Sequence, residues 1–371
     1  MMWEKVRLVD ICRPKQWKTL STNNLLDRGY PVYGANGKIG FYNKYTHESP
    51  TLIITCRGAT CGSLHITDPK SYVNGNAMAL DSIRKDVDIK FLYYYFSERG
   101  FQDIISGSAQ PQITGEGLSK ITIPLPPLPI QKRIAEILDT ADALRRKDEA
   151  LLKKYDELAQ AIFIDMFGDP VKNEKGWEVK KLGEVCEKIT DGTHFSPPNI
   201  PFCIPYITAK HLMKNQIDFY GNPTFIIQKH HEEIFSRCKP MKGDVLYIKD
   251  GATTGISAVN QYDFEFSMLS SLALIKPNKN RLNSYYLSCF LNNEIVKKDL
   301  IRTYMAGAAI KRFTLDKINK FKIVIPPIEL QNQFEKKWKK LQQNVEILKT
   351  KKSTNLFNSL LQKAFNGELI V

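Results

Sequence analysis

The stretch that decides the fold is IQKRIAEILDTADALRRKDEALLKKYDELAQAIFIDMFG, which runs from Ile130 to Gly168. Read in alternating steps of four and three residues, nine of its ten seam positions are apolar or aromatic, and Asp148 is the exception. A heptad sustained over this length is typical of a helix that packs in a coiled coil. Two prolines precede the stretch and a glycine ends it, which predicts its boundaries.

Length and composition predict a globular chain. With 371 residues it has room for two or three domains, each able to bury a core. No uncharged apolar run reaches the roughly 18 residues that a membrane span needs, and the charged start MMWEKVRLVDIC does not fit a signal peptide. The seven cysteines are scattered without a C-x-x-C pair, as in reduced cytosolic proteins. We therefore expect a cytoplasmic protein that does not contact a membrane.

The chain is basic, with a net charge of +14 and a pI of about 9.3. The excess lies outside the long helical stretch: residues 171–325 carry 23 basic and 15 acidic side chains, whereas residues 126–170 carry 7 and 9. A basic globular surface favours a polyanionic partner such as nucleic acid. The alternative is that this charge only keeps the protein soluble.

An internal duplication organises the rest of the chain, because three pairs of segments match in the same order. The pairs are Trp3–Cys12 with Trp177–Cys186, Thr51–Ser63 with Asp244–Ser257, and the stretch from Gly107 to Gln131 with that from Gly307 to Gln331. The second pair shares the motif G-A-T-x-G. A repeat of this kind predicts two globular copies, each followed by a long helix.

We expect domains at residues 1–126 and 170–326, and long helices at residues 127–169 and 327–371. The second helix is predicted from about Ile328 to Phe365, and its heptad slips after Leu348 in the manner of a stutter. TLIITC, ALDSI, DVLYIK and SSLALIK have the composition of strands, and KFLYYYFSERGFQDIIS and NSYYLSCFLNNEIVKKDLIRTYM that of helices. The predicted fold class is α+β: two α/β domains separated by two long helices, which pair as an antiparallel intramolecular coiled coil in a pseudo-two-fold repeat.

The first helix carries more apolar surface than one partner helix needs. Leu138, Leu152, Ala159 and Met166 form a third line beside the seam, which favours additional helices from a partner protein. The alternative is that the globular domains cover this line. The predicted pairing and docking positions are Ile134, Ile137, Leu138, Leu144, Leu151, Leu152, Tyr155, Leu158, Phe334, Trp338, Leu341, Val345 and Leu348.

The sequence lacks the motifs of the enzymes that act on DNA. It contains no N/D-P-P-Y/F methyltransferase motif, no phosphate-binding loop and no clear nuclease cluster. His230-His231-Glu232-Glu233 has the wrong spacing for two ligands on one helix face, so we interpret it as an exposed polar helix start. We therefore predict no catalytic residue, no metal site and no cofactor.

Several stretches together resemble the DNA specificity subunits of type I restriction–modification enzymes. They are PVYGANGKIGFYN, TLIITCRGATCGS, ITIPLPPLPIQKRIAEILD, DGTHFSP, IPYITAKHL, GDVLYIKDGATTGISAVN and VIPPIELQNQF. The resemblance implies a non-catalytic subunit whose two target-recognition domains each read half of a split site in double-stranded DNA. It also implies that the long helices fix the gap between the half-sites and dock two methyltransferase subunits, to which restriction and translocase subunits add. The length of the first helix predicts a separation of roughly 40–60 Å between half-sites.

DNA reading needs forked or amide side chains at base edges and cations at phosphates. Polar side chains in the glycine-rich and loop segments are the candidates: Asn36, Lys38, Tyr42, Lys44, Arg57, Gln110 and Gln112 in the first copy, and His194, Lys210, Lys249, Lys311 and Arg312 in the second. The resemblance assigns no recognised bases. Two other hypotheses stay open from the residues alone: a scaffold that binds only proteins, and an unrecognised DNA-modifying enzyme.

Overall fold

The computed structural model describes residues 3–107, 110–305, 312–350 and 353–369. The chain divides into two compact units: the first comprises Met1–Ala150 with Lys351–Val371, and the second comprises Leu151–Thr350. No helix in the described ranges has the length and apolar character that crossing a bilayer requires.

The helices and strands alternate along both units. The helices are α1 (Leu8–Ile11), α2 (Ile89–Arg99), α3 (Gly115–Ser119), α4 (Leu128–Phe167), α5 (Gln228–Cys238), α6 (Ser284–Leu291), α7 (Glu294–Met305), α8 (Leu315–Asn319), α9 (Ile328–Thr350) and α10 (Ser353–Phe365). The strands are β1 (Lys5–Arg7), β2 (Arg13–Gln16), β3 (Tyr30–Gly34), β4 (Gly37–Tyr42), β5 (Leu52–Thr55), β6 (Leu64–Ile66), β7 (Tyr72–Val73), β8 (Ala77–Asp81), β9 (Thr122–Pro124), β10 (Glu178–Lys181), β11 (Cys186–Asp191), β12 (Ile204–Ile207), β13 (Leu212–Met213), β14 (Gln216–Ile217), β15 (Phe225–Ile226), β16 (Val245–Ile248), β17 (Ser257–Val259), β18 (Ser267–Met268), β19 (Leu272–Pro277) and β20 (Lys322–Ile325).

The two units repeat one sheet plan. A four-stranded antiparallel sheet has the order β2-β8-β5-β6 in the first unit and β11-β19-β16-β17 in the second. A three-stranded sheet accompanies it, β4-β3-β7 in one unit and β15-β12-β18 in the other, and each contains one parallel pair. A two-stranded pair, β1-β9 or β10-β20, precedes the long helix. The repeat predicted from the sequence is therefore present in the fold.

A buried glutamine joins each unit to the start of its long helix. The Gln131 amide donates to the carbonyls of Asp86 and Pro126, at 3.0 and 2.7 Å, and its oxygen accepts from the Asp88 N–H at 2.8 Å. In the second unit the Gln331 amide donates to the carbonyls of Arg281 and Pro326, at 3.1 and 2.7 Å, and its oxygen accepts from the Asn283 N–H at 2.8 Å. Asp88 and Asn283 are themselves the N-caps of α2 and α6.

In the first unit, α10 runs antiparallel to the first half of α4. Leu361 and Ala364 of α10 join Ile134 and Leu138 of α4 in the buried core. Earlier in α10, the Phe357 ring contacts the guanidinium of Arg145, later in α4, at 5.4 Å. Later residues of α10 therefore contact earlier residues of α4, as antiparallel helices require.

In the second unit, the end of α4 packs against the start of α9. The Phe334 ring lies 5.6 Å from that of Phe163 and 5.4 Å from that of Phe167, and Trp338 belongs to the same buried core. The end of one helix thus meets the start of the other, as in the antiparallel pairing expected from the duplication. Residues 351–352, beside the predicted slip, lie outside the described residues.

The predicted strands are confirmed as β5, β8, β16 and β19. The two helices predicted within the globular copies differ from expectation, because each ends earlier than predicted. The helix expected to reach Ser106 ends at Arg99, because Gly100 adopts a positive φ of 64°. The helix expected from Asn283 to Met305 is split, since the Asn293 side chain accepts the N–H of Ile295 at 2.9 Å and starts a new helix.

Candidate nucleic-acid interface

The G-A-T-x-G motif forms a loop directly after β5 in the first unit and after β16 in the second. We call residues 57–62 and 250–255 the two GAT loops. Gly58 and Gly251 have φ values of 90° and 104°, and no heavy atom of the described residues, chain neighbours aside, lies within 4 Å of a Cβ built on either. Glycine meets the positive φ without strain, and the open space leaves the backbone of each loop accessible.

In the first unit, a short extended segment pairs with the GAT loop. The Ile113 N–H donates to the Cys56 carbonyl at 3.0 Å, and the Gly58 N–H donates to the Pro111 carbonyl at 3.1 Å. This pairing makes Arg57 and Gln112 antiparallel bridge partners. Both side chains are exposed. Two predicted DNA-reading residues that are far apart in the sequence therefore lie side by side.

Asn36 joins the same surface through Thr60 of the GAT loop. The Thr60 hydroxyl lies 3.0 Å from the Asn36 Oδ1 and 3.1 Å from the Ala35 carbonyl. Asn36 is exposed, at the turn between β3 and β4. The candidates Asn36, Arg57 and Gln112 thus belong to one polar surface at one end of the four-stranded sheet.

The other candidates of the first unit are distributed along and after β4. The Lys38 ammonium lies 4.7 Å from the Phe41 ring centre and 3.8 Å from an Asp68 carboxylate oxygen. Tyr42 is half-buried against the Tyr72 ring, at 5.6 Å. Lys44 and Gln110 are exposed.

The second unit reproduces the pairing with different side chains. The Phe313 N–H donates to the Lys249 carbonyl at 2.9 Å, and Asp250 and Arg312 are antiparallel bridge partners. Arg312 is exposed and Asp250 half-buried. The residues predicted from the sequence include Arg312 but not Asp250. The signal was present, because Asp250 occupies the position of Arg57 when the G-A-T motifs are aligned.

The ammonium of Lys249 is buried and ion-paired. Its prediction as a DNA-contacting residue is therefore corrected. Its side chain is 11% exposed and its ammonium lies 3.3 Å from Asp191, whose side chain is 3% exposed. Arg237 donates to the same carboxylate at 2.7 Å, and His194 lies 3.7 Å from it. A buried carboxylate needs such partners. Lys249 therefore holds β11 against the GAT loop, whereas His194 remains largely exposed.

Lys210 and Lys311 complete the predicted set. The Lys210 ammonium donates to the Asn222 side-chain oxygen at 3.2 Å and is exposed. Its neighbour His211 is buried: its Nδ1 accepts the Thr208 N–H at 2.9 Å, and its Nε2 lies 2.9 Å from the Asn222 carbonyl. Burial lowers the pKa of His211. Lys311 lies outside the described residues.

The His230-His231 segment starts α5, as predicted, but its exposure was predicted wrongly. His231 is buried, with Nδ1 3.1 Å from the Ser267 hydroxyl, and the His230 ring contacts that of Phe195 at 5.4 Å. These contacts give the pair a packing role. Within the described ranges, no three His, Cys, Asp or Glu side chains come together as metal ligands.

The helix positions divide by burial. Buried positions are Ile134, Leu138, Phe334, Trp338 and Leu341; partly buried ones are Ile137, Leu152, Tyr155, Val345 and Leu348; exposed ones are Leu144, Leu151 and Leu158. Of the predicted third line, Leu138 and Met166 lie in the cores of their own units. For Leu138 and Met166, the alternative that the globular domains cover the third line is therefore correct. The uncovered leucines lie instead on the predicted seam.

A family model described as "Type I restriction modification DNA specificity domain" matches residues 2–154 and again residues 174–356. The chain belongs to this family. As a specificity subunit, it supplies DNA sequence specificity to a type I restriction–modification complex and is not itself the catalyst. The two matches correspond to the two copies of the duplicated fold.

Known relatives agree with this assignment. The type I restriction enzyme MjaIX specificity subunit of Methanocaldococcus jannaschii is 27% identical over 355 residues, covering 86% of this chain and 78% of the relative. A putative type I restriction enzyme specificity subunit of Haemophilus influenzae is 26% identical, covering 82% and 77%. The crystal structure of a type I restriction–modification S subunit from M. genitalium shares the fold, with a TM-score of 0.66 at 18% identity, covering 98% of this chain and 96% of that one.

Proposed function

We propose that this specificity subunit reads a bipartite site in double-stranded DNA, one half with each unit. It docks two methyltransferase subunits, to which restriction and translocase subunits add, and it works in the cytoplasm. One observation carries the proposal: the same GAT-loop pairing occurs twice, with exposed or half-buried polar side chains that differ between the copies. A shared scaffold with changed polar groups suits two readers of different sequences.

We propose that the two GAT-loop surfaces face the DNA. Arg57, Gln112 and Asn36 would contact it from the first unit, and His194 and Arg312 from the second. Lys38, Lys44, Lys210 and Lys311 would meet phosphates, where cations position a protein without reading sequence. The net charge of +14 supports a polyanionic partner. Lys249 is left out of the set, because its ammonium is paired with Asp191.

We propose that the long helices dock the methyltransferase subunits and fix the number of base pairs between half-sites. The support is the apolar surface that the chain leaves uncovered: Leu144, Leu151 and Leu158 of α4 are 46%, 39% and 48% exposed. Exposed leucines at heptad spacing favour a helical partner. The α4 helix has 40 residues, which is about 60 Å at roughly 1.5 Å per residue.

The bipartite proposal is tested with three duplexes and the subunit assembled with its methyltransferase subunits. The site is first defined by sequencing methylated DNA from cells with and without this chain. Binding and methylation are then compared for the full site and for sites with either half scrambled. Scrambling either half should lower both by at least about tenfold. If one intact half suffices for full binding, the two-reader proposal fails.

A further inference from the structure

The residue just before each GAT loop makes the same backbone hydrogen bond in both units. Cys56 in the first unit and Lys249 in the second accept a hydrogen bond from Ile113 and Phe313, respectively. All four are buried. Alternate residues of an extended segment point to opposite faces. The residues that follow Cys56 and Lys249, and those that precede Ile113 and Phe313, therefore face away from the core.

These outward positions hold Arg57 with Gln112 in the first unit and Asp250 with Arg312 in the second. Bridge partners in an antiparallel pair have side chains on the same face, roughly 5 Å apart at Cβ. None of the four side chains forms a hydrogen bond or ion pair with any residue in the described ranges. Asp250 and Arg312 carry opposite charges and still do not pair. Nothing in the described fold therefore accounts for these polar groups.

The hydrogen-bonding character of the pair differs between the copies. A guanidinium only donates and a carboxylate only accepts, whereas an amide does both. Arg57 in the first unit is replaced by the acceptor Asp250, and the amide of Gln112 by the donor Arg312. The buried residues beneath remain fixed in their backbone bonding. The two copies thus share the backbone pairing and differ in the polar groups that it presents.

We infer that Arg57 with Gln112 and Asp250 with Arg312 are the base-reading pairs of the two half-sites, an inference that rests on the proposed function. An arginine fork matches O6 and N7 of guanine, a glutamine amide matches N6 and N7 of adenine, and a carboxylate accepts from N4 of cytosine. The first pair therefore reads guanine and adenine edges in the major groove. The second pair reads cytosine and guanine edges.

The bare backbone of each GAT loop fits this role. Gly58 and Gly251 directly follow Arg57 and Asp250 and have open space beside them. A side chain there would stand between the loop and a groove. Its absence lets the reading side chains reach base edges while neighbouring N–H groups approach phosphates.

The test transplants the second pair into the first unit. The double variant Arg57→Asp with Gln112→Arg is assembled with the methyltransferase subunits and given a library of duplexes randomised in each half in turn. Methylated molecules are sequenced. The half read by the first unit should lose its preference at one or two positions by about 5- to 150-fold, as expected for a lost bidentate base contact. The other half should stay unchanged.

The matched control is Lys85→Gln, which changes the net charge by the same single unit. Lys85 is exposed and follows β8, whose pairing with β5 places it at the opposite end of the sheet from the GAT loop. It should leave both half-site preferences as in the natural chain. A motif unchanged in the double variant would overturn the inference. A natural complex that shows no bipartite motif would instead overturn the proposed function.

A second, isosteric variant covers the case in which the double variant does not fold. Asp250→Asn keeps the size of the side chain and removes its charge. We expect it to relax one position in the half read by the second unit, with a thermal midpoint close to that of the natural chain. An unchanged preference in this well-folded variant would also overturn the inference.

Discussion

Buried polar side chains decide how each unit joins its long helix. Gln131 and Gln331 are both fully buried, and each makes three hydrogen bonds to backbone groups. A buried donor or acceptor that loses its partner costs about 1–3 kcal/mol, more than the net gain from an average hydrogen bond. Each joint therefore loses three hydrogen bonds when its glutamine is replaced by an apolar residue.

We predict that Gln331→Leu destabilises the second unit by at least about 1–3 kcal/mol. The leucine removes the partner of the Asn283 N–H and of two carbonyls, of which that of Pro326 is buried. Urea unfolding of the purified chain measures the change. Gln333→Leu is the control, because Gln333 is exposed on the same helix and should alter the midpoint little. Equal midpoints for the two variants would contradict the role given to Gln331.

We predict that His211 makes the second unit less stable in mild acid. Burial lowers its pKa in the folded chain, so the unfolded chain binds the proton more tightly. Stability from the neutral ring is complete above the unfolded pKa of about 6.5 and is lost as pH falls below it. Thermal midpoints between pH 8 and 5 should fall more steeply in the natural chain than in His211→Gln. Parallel curves would refute the prediction. Burial also lowers the pKa of His65, so a smaller slope remains in the variant.

At the scale of elements, local pattern predicted the long helices and the central strands well. The heptad of α4 and the apolar runs of β5 and β16 carry their own signals in consecutive residues. The breaks at Gly100 and Asn293 were missed, because the apolar pattern continues through each capping residue.

Much of the candidate interface could not be predicted, because it depends on pairing between distant segments. Whether Lys249 is open or buried depends on Asp191 and Arg237, which other elements bring to it. His231 is buried where Ser267 of the distant strand β18 lies beside its ring. Arg57 and Gln112 were each plausible alone, but their adjacency and the importance of Asp250 follow from the bridge pairing.

We predict that Leu151→Asp weakens methyltransferase binding by at least about tenfold without lowering the stability of the chain. Leu151 is already 39% exposed, so a charge there disturbs no buried contact of its own unit but places a carboxylate in the proposed docking surface. Size-exclusion chromatography with the methyltransferase subunits measures assembly, and thermal unfolding measures stability. Lys153→Asp, at an exposed polar position of the same helix, is the control. An intact complex with Leu151→Asp would argue against docking on this face.

At the scale of the whole molecule, charge sets how tightly DNA is held and pairing chemistry sets which DNA is chosen. The chain has 53 basic and 39 acidic side chains. Cations that meet phosphates release counterions, so their contribution weakens as salt rises. Base contacts contribute discrimination between sequences.

We predict that DNA affinity of the assembled complex falls by about 10³–10⁵ between 50 and 200 mM salt, the range for 6–10 phosphate contacts. Fluorescence anisotropy across this range gives the slope. Substituting Lys44 with glutamine should reduce the salt slope by about one, the value for one lost phosphate contact, and should weaken binding to full and scrambled sites alike. A slope near zero would contradict an electrostatic interface. Arg57→Gln is the comparison, because it should weaken the full site more than the scrambled one.

The buried glutamine joint has a consequence for how such a chain evolves. Gln131 and Gln331 bind main-chain N–H and carbonyl groups alone. Every amino acid presents the same carbonyl, and all but proline present the same N–H. These glutamine hydrogen bonds thus depend little on which side chains the domain carries at the bonded positions. A diverged reading domain that is exchanged by recombination at the two Pro-Pro junctions can therefore form the same glutamine hydrogen bonds with the long helix.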